Sequence, residues 1–596
     1  MLMIMTKKFR EIKAEILILF IGVFINGIFS LYRLKDLTLP GILWDEFGYW
    51  SVGAQLSGKD WSGLASVLCP YYSYGYGIIL SIIIRLLPDM RLAYQAAIIL
   101  NSLLISVTIF LLYKIFTYSL KNVDHSFIAF FCVIVSFYPN IISNAKIAWS
   151  EIPLLFIYTI TTYMFVLCIV KKRILYDLMF VGLLMYLYMI HQRTIGVLAT
   201  GIFLIYWLRG KREKNYRRII VLTLVIVALL MIHSLFKDHM YKILWNNTEY
   251  NIFEGIINYS DFSIEISNVL EVNDYSGQIG KVMKIFSLEG VKKLFLSFTG
   301  KIFYVGIATF VIGFEGFYLA AKLLYQEYRK NSTLSLFFLF IIISYLFTLC
   351  ISSLYMIEPD RIDAIMYGRY TDWLLIPFIV LGGISFACYG INYGRISLYL
   401  LFLCLCGIWI WSYVDANELN LFYEVCSPAI YIFKKNITDG NKWVLFMTAF
   451  MLALIILIWT LFKLLKKKAQ LICFGLIAIL WMRAGIEVIN YKIDFSRKDM
   501  IEAVEDVLYD NESLPVYYVC NLIGNKDGSY GLSNYYMGAV QFLNSDRKIE
   551  CVSYERFSEV EKGIILLPSY NFDVYFKDYN LEVIYDSDIY KIVKML

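Results

Sequence analysis

Apolar runs of about 17–25 residues recur along most of the chain, separated by short polar turns. They predict membrane-spanning helices at 14–33, 91–117, 126–143, 151–170, 174–190, 194–208, 218–236, 301–326, 334–356, 371–391, 396–414, 443–464 and 470–490, roughly thirteen spans. The segment 76–88, YGIILSIIIRLLP, is short and carries Arg85, which predicts an amphipathic helix at the interface. After residue 491 the pattern changes. A polar helix in SRKDMIEAVEDVLYD precedes the strand-like runs LPVYYVC, RKIECVS, GIILLPS and NLEVIYDSDIYKIVK. The expected fold class is an all-α polytopic membrane domain over 1–490 with a small α/β domain over 491–596.

Composition supports the class. At 59% hydrophobic, 17% charged and a mean hydropathy of +0.64, the 596 residues carry more apolar surface than a water-soluble fold can cover. The net charge of +6 reads as topology. Lys7, Lys8, Arg10, Lys13, KKR at 171–173, RGKREKNYRR at 209–218, Lys322, Arg329, Lys330 and KLLKKK at 463–468 all fall on one side when the N-terminus is cytoplasmic. The basic N-terminus runs into the first span without a small-residue cleavage site, which predicts a retained signal anchor. An odd number of spans then puts the 34–90, 237–300 and 357–370 loops and the C-terminal domain outside. No basic face is interleaved with exposed aromatics, so nucleic acid is not an expected partner. The eleven cysteines contain no CxxC pair, although Cys520 and Cys551 could form a disulfide. Four histidines exclude a His-rich metal cage. The Ile, Tyr, Lys and Asn usage suggests an AT-rich bacterial genome, hence the bacterial cytoplasmic membrane.

The costly polar residues gather on the outer side of this topology. The first loop presents Asp45 and Glu46 beside Tyr49 and Trp50; adjacent like charges resist ionising together, which suits proton transfer or metal binding. The turn NAKIAWSEIP presents Glu151, either as a functional acid or as part of a helix start with Pro153. IHQRTIG presents His191, a ligand or a satisfied interfacial imidazole, and Arg193. EPDRIDAIMYGRYTDWLLIP presents Arg361, Arg369 and Tyr370. Arginines on the side that topology disfavours either snorkel or meet an anion, and phosphate suits the guanidinium fork. Within the membrane, Arg483 and Glu487 can pair along one helix face, and Glu315 has no evident partner.

The motifs WDEFGYW, AWSEIP and YGRYTDWLLIPF, set in this layout, resemble the GT-C glycosyltransferases that use polyprenyl-phosphate sugars. The protein O-mannosyltransferases and lipid A aminoarabinose transferases are the branches most similar. In place of a Pro-rich signature after the Asp-Glu pair, this chain has CPYYSYGYG. The resemblance implies sugar transfer from a polyprenyl-phosphate donor to a glycan, lipid or protein acceptor at the outer face, with inversion. It implies Asp45 as general base, Glu46 and Glu151 as supporting acids, and Arg369 with Arg193 or Arg361 on the phosphate. Tyr49, Trp50 and the YYSYGY run would offer flat faces to a sugar ring, Tyr370 would bind substrate, and a divalent metal ion is the one cofactor implied, with His191 as a further ligand. The alternatives are a polytopic transporter or lipid flippase, which would place ionisable groups near the midplane, and a non-catalytic polysaccharide-assembly protein.

Overall fold

In a computed structural model of the chain, the described residues are 13–596 except 42, 70–72, 246–280, 432–438, 467–468, 495–497, 520–536, 553, 570–571, 573–575, 588–589 and 596. Helices follow the apolar runs in order: α1 (Ala14–Leu31), α2 (Leu43–Ser57), α3 (Ser62–Leu68), α4 (Gly75–Leu86), α5 (Met90–Ser119), α6 (His125–Ile134), α7 (Pro139–Asn144), α8 (Glu151–Lys171), α9 (Ile174–Ile190), α10 (Ile195–Tyr206) and α11 (Tyr216–Leu244). Beyond residue 280 come α12 (Leu288–Ala308), α13 (Ile312–Arg329), α14 (Ser335–Tyr355), α15 (Asp372–Tyr389), α16 (Tyr393–Ala416), α17 (Gly440–Leu464), α18 (Leu471–Asp494) and α19 (Lys498–Asp510).

The protein is a multi-pass membrane protein, and among the described residues the long apolar helices account for nine or ten of the roughly thirteen expected spans. Among the described residues, nine helices are long and apolar enough to cross, or ten when α12 and α13 count as one broken span. The run 126–143 divides because Pro139 opens a new helix, α7. The run 301–326 breaks at Thr309–Val311, where Phe310 and Val311 adopt positive φ of 50° and 62° and the axis turns by 105°. Two distant indoles satisfy carbonyls freed there: Trp459 donates to Phe310 O at 3.0 Å and Trp481 to Ala308 O at 2.7 Å. Just beyond the bend, Gly316 and Gly382 let α13 and α15 touch backbone to backbone. A Cβ at either position would lie 1.8–1.9 Å from a carbonyl oxygen of the other helix.

Glu315 is neutralised inside the bundle. Its carboxylate accepts from Arg395 at 2.7 and 3.1 Å and from Ser385 at 2.8 Å. Arg483 and Glu487 pair along α18.

The C-terminal segment forms a five-stranded sheet in the order β2-β1-β3-β5-β4. The strands are β1 (Val516–Val519), β2 (Ile549–Val552), β3 (Gly563–Pro568), β4 (Glu582–Asp586) and β5 (Tyr590–Met595). β1 pairs in parallel with β2 and β3, while β5 runs antiparallel to β3 and β4. Alternation along β3 explains its central place: Ile565 and Leu567 face one cluster with Phe557 and Phe576, Ile564 and Leu566 the other. Cys551 is disulfide-bonded; Cys520 lies outside the described residues.

This segment is seated on the first loop. Phe542 packs edge-on against Trp50 and Trp61, and the Trp61 indole donates to Ser545 O at 3.0 Å. Lys59 pairs with Asp546 at 2.6 Å, and Arg91 forks onto Glu505. Gly63 permits α3 to meet the edge strand β2, since a Cβ there would sit 2.2 Å from Ile549 O.

Candidate active site

Four turns at one end of the bundle supply an ion cluster. Asp45 lies in the first turn of α2, where a carboxylate also suits the helix dipole. Glu151 is the first residue of α8, after Ser150 at the cap position. Arg193 belongs to the single 3-10 turn Gln192–Thr194 between α9 and α10. Arg369 precedes α15 in a loop whose backbone is fixed from outside: Cys426 O accepts from Gly368 N at 3.1 Å and from Arg369 N at 3.0 Å.

Their side chains meet. Arg369 donates from Nε to Glu151 Oε1 at 2.8 Å and pairs through Nη1 with Asp45. Arg193 Nη2 donates to Glu151 Oε2 at 2.5 Å, so Glu151 bridges both guanidiniums. Each guanidinium also lies on an aromatic face, Arg369 3.7 Å from the Trp149 ring centre and Arg193 4.5 Å from that of Tyr370. Tyr49 donates its hydroxyl to Ser150 Oγ at 3.0 Å. Burial, then the charges of Arg193 and Arg369, hold the His191 imidazole well below its usual pKa, so it is neutral. Burial works against the charged form of Arg369, yet Asp45 and Glu151 keep its pKa well above the ordinary range.

Arg193 is not satisfied. It is buried, and its Nε and Nη1 have no hydrogen-bond partner. A guanidinium offers five N–H donors, and leaving buried ones unused is costly. The cluster therefore has donor capacity in excess of its two carboxylates.

The architecture around this cluster has counterparts of known structure. ArnT from Cupriavidus metallidurans bound to undecaprenyl phosphate superposes with a TM-score of 0.50 at 9% identity, over 96% of this chain and 97% of that one. The chain has the GT-C fold. ArnT in the apo state matches over the same shares at 10% identity and a TM-score of 0.50. The oligosaccharyltransferase AglB from Archaeoglobus fulgidus, in complex with an inhibitory peptide and a dolichol-phosphate, matches at a TM-score of 0.38 and 12% identity. It covers 72% of this chain and 59% of that one. No family model and no curated protein matches the sequence.

Within this GT-C fold, several expected site residues stand elsewhere. Glu46 is not a partner of Asp45: it is fully buried and accepts from Tyr94 Oη at 2.6 Å, Ala148 N at 2.9 Å and Gly41 N at 2.6 Å. The Lys492 ammonium stands 3.9 Å from it and donates to Tyr94 Oη at 3.0 Å and Lys146 O at 3.1 Å. Glu46 thereby ties the first loop, α5, the turn before α8 and the end of α18 together. Arg361 forms a clasp with Asp363, 3.3 Å away, over the Tyr423 ring, and steadies the Arg369 loop from behind. Trp50 packs against Phe542 and Tyr94 and does not line the cluster. Tyr71 and Tyr72 lie outside the described residues.

The residues do not fit a metal ion. Among the described residues no group of three or more His, Cys, Asp or Glu side chains could hold one. Asp45 and Glu151 are committed to guanidiniums, and His191 Nδ1 accepts from Arg193 N at 3.3 Å. Sequence reasoning missed the supports: Trp149 beneath Arg369, and Asp372, which accepts from Asn140 at 2.8 Å and from Tyr138 and Tyr304 at 3.1 Å and so anchors the start of α15.

Proposed function

We propose that the chain is a membrane glycosyltransferase, moving a sugar from a polyprenyl-phosphate donor to an acceptor hydroxyl at the extracytoplasmic face of the bacterial cytoplasmic membrane. The observation that carries the reading is the cluster itself. Two buried guanidiniums converge from separate turns, one with unused donors, beside a carboxylate on a first-loop helix. The shared fold supports it, since ArnT is a protein known with undecaprenyl phosphate bound. The disulfide at Cys551 supports an oxidising, extracytoplasmic setting for the C-terminal sheet. The convergence of Asp45, Glu151, Arg193 and Arg369 at one end of the bundle disfavours a transporter, and the pairing of Glu315 with Arg395 neutralises the carboxylate that would favour one.

In this reading Arg369 and Arg193 bind the donor phosphate, and Glu151 keeps both forks oriented. Asp45 takes the proton of the acceptor hydroxyl as its oxygen bonds to the anomeric carbon. The carbon–oxygen bond to phosphate breaks, and its electron pair stays on the phosphate oxygen, where the guanidiniums stabilise the developing charge. Attack opposite the leaving group inverts the anomeric centre. Glu46, locked in its tie, positions the segment.

Comparison of lipid-linked sugars and surface glycans in cells with and without the protein identifies donor and product. Complementation with Asp45→Asn is expected to restore membrane protein but no glycan. A purified Asp45→Asn protein that transferred sugar at the wild-type rate would remove Asp45 as the base.

A further inference from the structure

We infer that Asp45 is also a specificity-determining residue: it occupies the fork of Arg369 that the donor phosphate takes, so that only an anion able to displace it enters the site, and its displacement frees the base. This rests on the reading of the cluster as a lipid-phosphate site.

Asp45 and Glu151 balance Arg193 and Arg369, and the neutral His191 adds nothing. A phosphate added to this balanced, buried set leaves a negative charge uncompensated, which is expensive away from water. That charge costs least on the carboxylate nearest water, which gives up its guanidinium to the phosphate. Glu151 is the poor candidate: its side chain is 3% exposed, it opens α8, and it holds both arginines. Asp45 is the good one, 15% exposed and paired with Arg369 alone among the four. Phosphate carries more acceptor oxygens than a carboxylate and matches the planar fork with two parallel hydrogen bonds. A headgroup with a weaker grip leaves Asp45 in place. Once displaced, the carboxylate stands beside the donor with no cation on it, ready for the acceptor's proton. Substrate entry and base activation are then one event.

The distinguishing result is that removing the catalytic carboxylate tightens donor binding. Undecaprenyl phosphate is titrated into the purified full-length protein and its variants in nanodiscs. Asp45→Asn and Asp45→Ser, two variants of different shape, are expected to bind it about tenfold more tightly than wild type. Glu151→Gln is expected to bind no more tightly, because it loosens both forks. Arg369→Ala is expected to lose binding by at least about tenfold. The exchange is overturned if neither Asp45 variant gains affinity, or if Glu151→Gln gains as much, since net charge alone would then govern binding. If Arg369→Ala binds like wild type, or wild type does not bind, the lipid-phosphate reading falls as well. A loss at Arg369→Ala with no gain at Asp45 leaves that reading standing and removes only the exchange.

Discussion

Two buried ion clusters lie at opposite ends of α8, and they are built to different ends. At the far end, Arg209 spends every nitrogen. Its Nε and Nη2 grip Asp177 at 2.9 and 2.5 Å, Nη1 reaches Glu213 at 2.5 Å, and Nη2 also donates to Cys168 O at 2.9 Å. Arg218 adds a second positive charge 3.6 Å from Asp177. These groups sit in or beside regular helix, and no Arg209 nitrogen is left over. At the near end, the four charged groups come from turns and helix starts, stack on aromatic rings, and leave two Arg193 donors unspent. Charge balance alone does not separate a strut from a site; unspent guanidinium donors do.

The sharpest way to break the comparison is to remove the central guanidinium from each cluster. Arg369→Ala is expected to lower sugar transfer by about 10²–10³-fold, the loss seen when one preorganised donor to a developing charge is deleted. Arg209→Ala is expected to cost about 3–5 kcal/mol of stability by stranding Asp177, with activity per folded molecule unchanged. Melting in detergent beside a transfer assay separates the two. If Arg209→Ala folds normally and loses transfer, the far cluster is not a strut.

A smaller effect is expected from Lys492→Met, which keeps the stem that packs over Gly41 but removes the ammonium behind Glu46. Transfer is expected to fall by about tenfold, the equivalent of 1.4 kcal/mol, with Lys492→Arg recovering part of it. The smallest effect concerns pH. His191 is held neutral in the fold, whereas an unfolded chain protonates it near pH ~6.5. The unfolded state therefore binds the extra proton, and stability is lost as pH falls below about 6.5. His191→Asn is expected to flatten that slope in melting curves taken between pH 5 and 7.

The cluster was largely legible in the sequence because charge is rare in a membrane chain. Asp45, Glu151, Arg193 and Arg369 stood out in four separate turns, and positive charge on the opposite side assigned them a common face. The pairing of Asp45 with Glu46 misled for a geometric reason. Consecutive residues at a helix start point about 100° apart, so neighbours in sequence serve different partners. Tyr94 and Lys492 were not legible as partners, since each sits near the end of an apolar helix and reads as an interfacial anchor. β1, β2 and β3 followed their β-branched and aromatic runs closely, whereas the single run NLEVIYDSDIYKIVK holds two antiparallel strands, β4 and β5. The break between α12 and α13 was invisible to hydropathy: Thr309, Phe310 and Val311 include neither Gly nor Pro, and the indoles that sustain the turn arrive from α17 and α18.

The tie at Glu46 has a bearing on biosynthesis. Lys492 follows Tyr94 by 398 positions, so the ribosome delivers this clamp long after it has made the first loop. A nascent protein can insert its early helices, but it cannot tighten the loop carrying Asp45 until α18 arrives. A chain cut before Lys492 would then hold its first loop without the ammonium behind Glu46.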